Sequence, residues 1–148
     1  MKTPYDAPLR VAERELDEVR AAIGAALGEI RQIEDAAASL RDTMARETAA
    51  VAGDHSLAAE RFFARARERR TQLATACEAA NARVETLRER AIECYGARTA
   101  IGNAAARYRQ EAERAAAAAE QAALDDIAAS RLVRLRRRRR PVTARLAS

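Results

Sequence analysis

Near the start of the chain, Leu9, Ala12, Leu16, Val19, Ile23, Ala26, Ile30, Ile33, Ala37, Leu40 and Met44 are separated by steps of three and four in unbroken alternation. A mean step of about 3.5 residues is the seam of a left-handed coiled coil. It excludes a strand, whose side chains repeat every two residues. Arg10, Glu13, Asp17, Arg20, Arg31, Asp35 and Arg41 all lie off the stripe. Upstream, Thr3 is placed to cap the helix, Pro4 to occupy its first position and Asp6 to meet the positive helix end.

The stripe stops near residue 50. Val51-Ala52-Gly53-Asp54-His55-Ser56 holds a glycine suited to ending a helix and two candidate caps for the next, Asp54 and Ser56. A second stripe then runs Ala59, Phe63, Ala66, Arg70, Leu73, Cys77, Ala80, Val84, Leu87, Ala91, Cys94, Arg98, Ile101, again in threes and fours. Two stripes joined by a short turn predict antiparallel packing of one helix on the other. The expected fold is all-α, a two-helix antiparallel coiled-coil hairpin with a longer, protruding second helix. The expected bounds are about 4–51 and 57–135, with a turn at 52–56 and a basic, disordered tail at 136–148.

A turn centred on residue 54 sets residue i opposite 108 minus i, which puts Gly96 and Gly102-Asn103 near the base of the first helix as candidate breaks. From about residue 104 to 135 the second helix then has no partner within the chain. It would reach ~120 Å, against ~70 Å for the first. Its alanines, together with Arg107/Glu111 and Arg109/Glu113 four residues apart, favour a helix there nonetheless.

Composition closes the other possibilities. Forty residues are Ala and 26 are Arg, and Leu, Ile, Val and Phe together number only 25 of 148. Such a chain cannot fill a deep core, and five Gly with three Pro cannot punctuate a β or α/β fold. His55 stands far from Cys77 and Cys94, no phosphate-cradling glycine loop occurs, and no nucleophile has a neighbouring base. We expect no enzyme, no cofactor, no metal and no small-molecule substrate. The opening residues lack an apolar signal region and no apolar run approaches ~20 residues. The two cysteines then suit the reducing cytoplasm.

Residues 131–148 contain eight Arg and no carboxylate, and account for the basic character of the chain. The run Arg136, Arg137, Arg138, Arg139, Arg140 suits an acidic protein face first, a solvated end that keeps the chain soluble second, and nucleic acid or lipid last. Nucleic acid is not expected, because no aromatic stacking platform or base-reading motif accompanies the arginines. At the other end, Leu40, Met44, Leu57, Phe62 and Phe63 cluster about the turn, with Phe63 expected inside and Phe62 partly exposed as an anchor for a partner. Arg61, Arg65, Arg67, Arg69 and Arg70 form a second basic face there. Gly24 and Gly28 are expected to permit a close helix approach.

Two stretches, LRVAERELDEVR (Leu9 to Arg20) and EQAALDDIAASRLVRLRRRR (Glu120 to Arg139), on a short helix, turn and longer helix, resemble the flagellar export protein FliJ family. The resemblance implies an antiparallel coiled coil like the central stalk of rotary ATPases. It implies a non-enzymatic stalk or adaptor of type III export, cytoplasmic and peripheral to the membrane at the flagellar base. The implied partners are the flagellar export ATPase ring, the cytoplasmic domain of the export gate and export chaperones. On that reading the tip around Leu40, Met44 and Phe62 is a candidate gate contact, with Phe63 among the partner-binding residues beside it. Arg107, Arg109 and Arg114 accompany the unpartnered helix that enters the ring, and the Arg136–Arg140 run is a further partner contact. The alternatives are a generic homo-oligomeric coiled-coil scaffold and a basic-tailed nucleic-acid-binding helical protein.

Overall fold

A computed structural model describes residues 2–53 and 56–139 of the 148-residue chain. Among them there are two helices, α1 (Asp6–Ala50) and α2 (Leu57–Arg139), and no strand. The chain divides into two compact units, Ala7–Ile101 and Met1–Asp6 with Gly102–Ser148.

In the unit Ala7–Ile101, α1 and α2 pack as a helical hairpin. All eleven positions of the first stripe are buried or half-buried. So are eleven of the thirteen in the second, the exceptions being Arg70 and Arg98. The tightest packing joins Ala26, Ile30, Ala80 and Val84, flanked by Ile33 and Leu87, with Ala80 1% and Val84 3% exposed. Alanines at Ala26 and Ala80 bring the two backbones close but remove little apolar area each, so the seam is narrow. Ile30 and Val84 therefore supply a large share of its burial energy.

Polar pairs across the seam define its register. The Arg83 Nη1 atom lies 2.6 Å from Glu29 Oε2, and Arg98 Nη2 lies 3.4 Å from Glu13 Oε1. A turn centred on residue 54 sets Glu29 opposite residue 79 and Glu13 opposite residue 95. The observed partners are Arg83 and Arg98, three to four positions further on. Guanidinium stems reach along the helix, and charge pairs flanking an antiparallel seam do not sit directly across it.

The turn follows its chemistry. Gly53 has φ of 92°, the left-handed conformation that a side chain strains, and it stands just past the end of α1. Ser56 starts α2 as a cap, its Oγ accepting the Ala59 N–H at 3.3 Å. Asp54 and His55 lie outside the described residues. Phe62 and Phe63 are both half-buried, edge to face with ring centroids 5.2 Å apart, so Phe62 is partly exposed as expected while Phe63 is not fully inside. Mutual ring contact covers part of each ring, and Phe63 also occupies a stripe position of the seam.

The glycines inside the helices behave differently from expectation. A Cβ at Gly24 or Gly28 would meet nothing within 4 Å, so neither marks a close helix approach. Gly96, Gly102 and Asn103 lie within an unbroken α2. A single glycine costs about 1 kcal/mol in a helix, which strong helix formers on either side outweigh.

Candidate functional site

The other unit, Met1–Asp6 with Gly102–Ser148, begins with a clasp. The Thr3 N–H donates to Asp6 Oδ2 at 2.9 Å, and the Thr3 hydroxyl donates to Asp6 Oδ1 at 2.6 Å. The Asp6 N–H donates back to the Thr3 carbonyl at 3.2 Å. This reciprocal arrangement satisfies donors that a helix start leaves open. The same carboxylate takes Arg109 Nη2 at 3.4 Å, where residue 102 was the expected neighbour of Asp6. Beside it the Tyr5 and Tyr108 rings meet edge to face, centroids 6.2 Å apart.

The stepping of the second stripe runs on through Ala105, Tyr108 and Ala112. Ala105 is 1% exposed and Ala112 is half-buried. The segment from 104 is therefore not wholly without a partner. Among the described residues the fully exposed stretch starts at Glu113. The glycine at 102 suggested an end to pairing that the clasp in fact carries further.

From Glu113 to Arg139 every residue is exposed, and the segment is helical throughout. Its 27 residues extend for ~40 Å. Ala115–Ala119, Ala122 and Ala123 give the first part a minimal girth, since each side chain ends at Cβ. Leu124, Ile127, Leu132, Val133 and Leu135, each at least half exposed, stud the second part. The helix persists through Arg136, Arg137, Arg138 and Arg139, which composition had assigned to a tail, while Arg140 lies outside the described residues.

Arg107 and Arg114 are exposed, but Arg109 is engaged by Asp6. Neither Arg107 with Glu111 nor Arg109 with Glu113 forms an ion pair among the described residues. Exposed i,i+4 pairs gain only about 0.3–0.5 kcal/mol, too little to fix two long side chains.

In the hairpin unit, an open depression of about 710 Å³ lies beside the turn, lined by Thr48, Val51, Ala52, Ala59, Glu60, Phe63, Ala64 and Arg67. Leu40 and Met44 are half-buried and Leu57 is exposed. Arg61, Arg65, Arg67, Arg69 and Arg70 are all exposed. Cys94 is buried and Cys77 half-buried, both as free thiols within the seam. Among the described residues no cluster of His, Cys, Asp and Glu could hold a metal ion, and no helix is long and apolar enough to cross a membrane.

Thr3 and Arg109 together hold the Asp6 carboxyl below its ordinary value of 3.8, the Thr3 hydroxyl and N–H contributing most. A carboxylate with a depressed folded-state pKa contributes stability that is present above the unfolded value and lost as pH falls through the folded one. The contact between the Tyr5 and Tyr108 rings, followed by NMR, is expected to persist at neutral pH and to fade below pH 3.8. Asp6→Asn is expected to weaken it at neutral pH and to remove its dependence on acid. An unchanged ring contact in Asp6→Asn at neutral pH would show that the carboxylate does not hold the clasp.

No curated protein and no solved structure matches the chain. The profile of the flagellar FliJ protein family matches residues 1–138. With that match spanning both helices and the clasp, the chain belongs to the flagellar FliJ protein family, a family of flagellar export components.

Proposed function

We propose that the chain is a non-enzymatic stalk and adaptor of flagellar type III export, working in the cytoplasm at the flagellar base. The clasped segment and the alanine-rich helix beyond it enter the ring of the export ATPase. The hairpin connects that ring to the cytoplasmic domain of the export gate and to export chaperones. Membership of the FliJ family supports the setting. The observation that carries the mechanical reading is the fully exposed, alanine-rich stretch of α2 from Glu113 to Ala123. A helix with no chain of its own to cover it is suited to an external socket, and one sheathed in methyl groups suits a narrow one.

Transmitting orientation requires two helices held in register. In the hairpin unit the three-four seam provides this, with Arg83–Glu29 and Arg98–Glu13 across it. Leu40, Met44, Phe62 and Phe63 are the proposed gate-facing group at the turn, and Arg107 and Arg114 the proposed ring-facing charges. The test is gel filtration of the chain with the cognate export ATPase in the presence of nucleotide. Co-elution at ring size with increased ATP hydrolysis per subunit is the expected result. Separate elution with unchanged hydrolysis would reject the proposal.

A further inference from the structure

Five large apolar residues of α2, Leu124, Ile127, Leu132, Val133 and Leu135, are exposed by 50–60% within twelve positions. At 100° per residue, Leu124, Ile127, Leu132 and Leu135 fall together on an arc of about 140°. From Ile127 to Arg139 there are six arginines and no carboxylate. Among the described residues none of those arginines is ion-paired, whereas acids lie within reach of several arginines elsewhere in α2. Apolar side chains and unneutralised positive charge therefore occupy the same four turns.

We propose that Leu124–Arg139 is an interfacial helix that docks directly on an anionic lipid surface. Two physical terms act together there. Leu and Ile side chains leave water for the boundary between headgroups and acyl chains, while arginines meet lipid phosphates with charge-assisted hydrogen bonds. Arg131, Arg138 and Arg139 lie within the apolar arc, and their long stems can follow the apolar surface while the guanidinium groups rise to the headgroups. The absence of acids from residue 127 on removes the repulsion that an anionic surface would otherwise meet. A ligand offering phosphate charge alone, such as duplex DNA, leaves the four apolar residues in water. A lipid surface engages both sets. That difference favours lipid over nucleic acid.

The docking is separate from ring entry, which is proposed for the alanine-rich stretch before it. The experiment uses the full chain and contains no ATPase: co-sedimentation with vesicles of phosphatidylcholine alone or of phosphatidylcholine with phosphatidylglycerol. Binding to the anionic vesicles only, weakening as salt rises, is expected. Arg134→Ala/Arg136→Ala/Arg137→Ala/Arg138→Ala is expected to weaken binding by more than about 100-fold, at roughly fivefold per arginine. Ile127→Ser/Leu132→Ser/Leu135→Ser, with every charge retained, is expected to weaken it by about tenfold or more. These positions are exposed, so the Cys94 thiol in the hairpin seam should stay as protected as in the parent chain. Equal binding to both vesicle types, or to neither, overturns the proposal without any variant. Unaltered vesicle binding by the serine variant overturns it too. Binding of random duplex DNA, unaffected by the serine substitutions and with no vesicle binding, would assign the segment to nucleic acid instead.

Discussion

Val84→Asp is expected to abolish cooperative unfolding of the hairpin at 25 °C and neutral pH. Val84 is 3% exposed and packs in the cluster with Ala26, Ile30 and Ala80. Within that cluster every side chain is apolar, so an aspartate there would lose its water without gaining a donor. Leaving a charge buried and unpaired costs on the order of 3–5 kcal/mol. Whole domains are stable by only about 5–15 kcal/mol, and a seam lined with alanine belongs near the bottom of that range. Val84→Ala, which removes two methyl groups and leaves no charge, should cost about 2 kcal/mol or less and keep the transition cooperative. Helicity alone is a poor readout, because the alanine-rich stretches retain some helix when unpaired. Reactivity of the Cys94 thiol is better. At 4% exposed it should be slow towards a thiol reagent in the parent chain and fast in Val84→Asp. A variant that melts within a few degrees of the parent, with Cys94 still protected, would show that Val84 does not lie in a dry seam.

The three-four stepping already names the residues that meet at this seam. Period survives where composition misleads, because burial depends on which face a position occupies more than on how apolar the residue is. Ala80, a small residue in an alanine-rich chain, becomes one of the least exposed positions through register alone. Arg70 and Arg98 occupy stripe positions yet stay exposed, as their length allows the charge to remain in water, and Arg98 finds Glu13. The short turn fixes the register to within one helical turn, and flanking pairs such as Arg83 with Glu29 refine it.

The clasp carries pairing past the point where local propensity predicts its end. Gly102 and Asn103 have low intrinsic helix propensity, but propensity is a local term of about 1 kcal/mol. Contacts of Tyr5 with Tyr108 and Asp6 with Arg109 join residues more than one hundred positions apart, and nothing local signals them. Thr3 and Asp6 are recognisable as a capping pair from their spacing. That the Asp6 carboxylate also takes Arg109 depends on where α2 passes, which spacing within one segment cannot convey. Charge type and position marked out the arginines of α2 as candidate contacts, and only the folded chain separates Arg109, held internally, from Arg107 and Arg114.

Ala115→Trp/Ala119→Trp is expected to leave the hairpin intact and to weaken association with the export ATPase ring by more than about tenfold. Both alanines are exposed on the helix surface. Replacing Ala by Trp in a helix costs no more than about 0.7 kcal/mol per site by propensity, within a segment whose packing does not support the seam. The melting transition should therefore shift little, with Cys94 as protected as before. The effect on ring entry should be large because girth is what this stretch offers. An ordinary helix with side chains is about 10–12 Å across, and alanine falls below that. Two indoles four positions apart add their bulk to the same side of the helix. A socket shaped around methyl groups cannot admit them without losing its own packing, and overpacking costs about 1–3 kcal/mol at each site. Co-elution with the ATPase should fall by more than about tenfold, whereas Ala115→Ser/Ala119→Ser, which adds one small atom at each site, should retain most of it. Should the tryptophan variant join the ring as well as the parent chain, the alanine-rich stretch is not the part that enters.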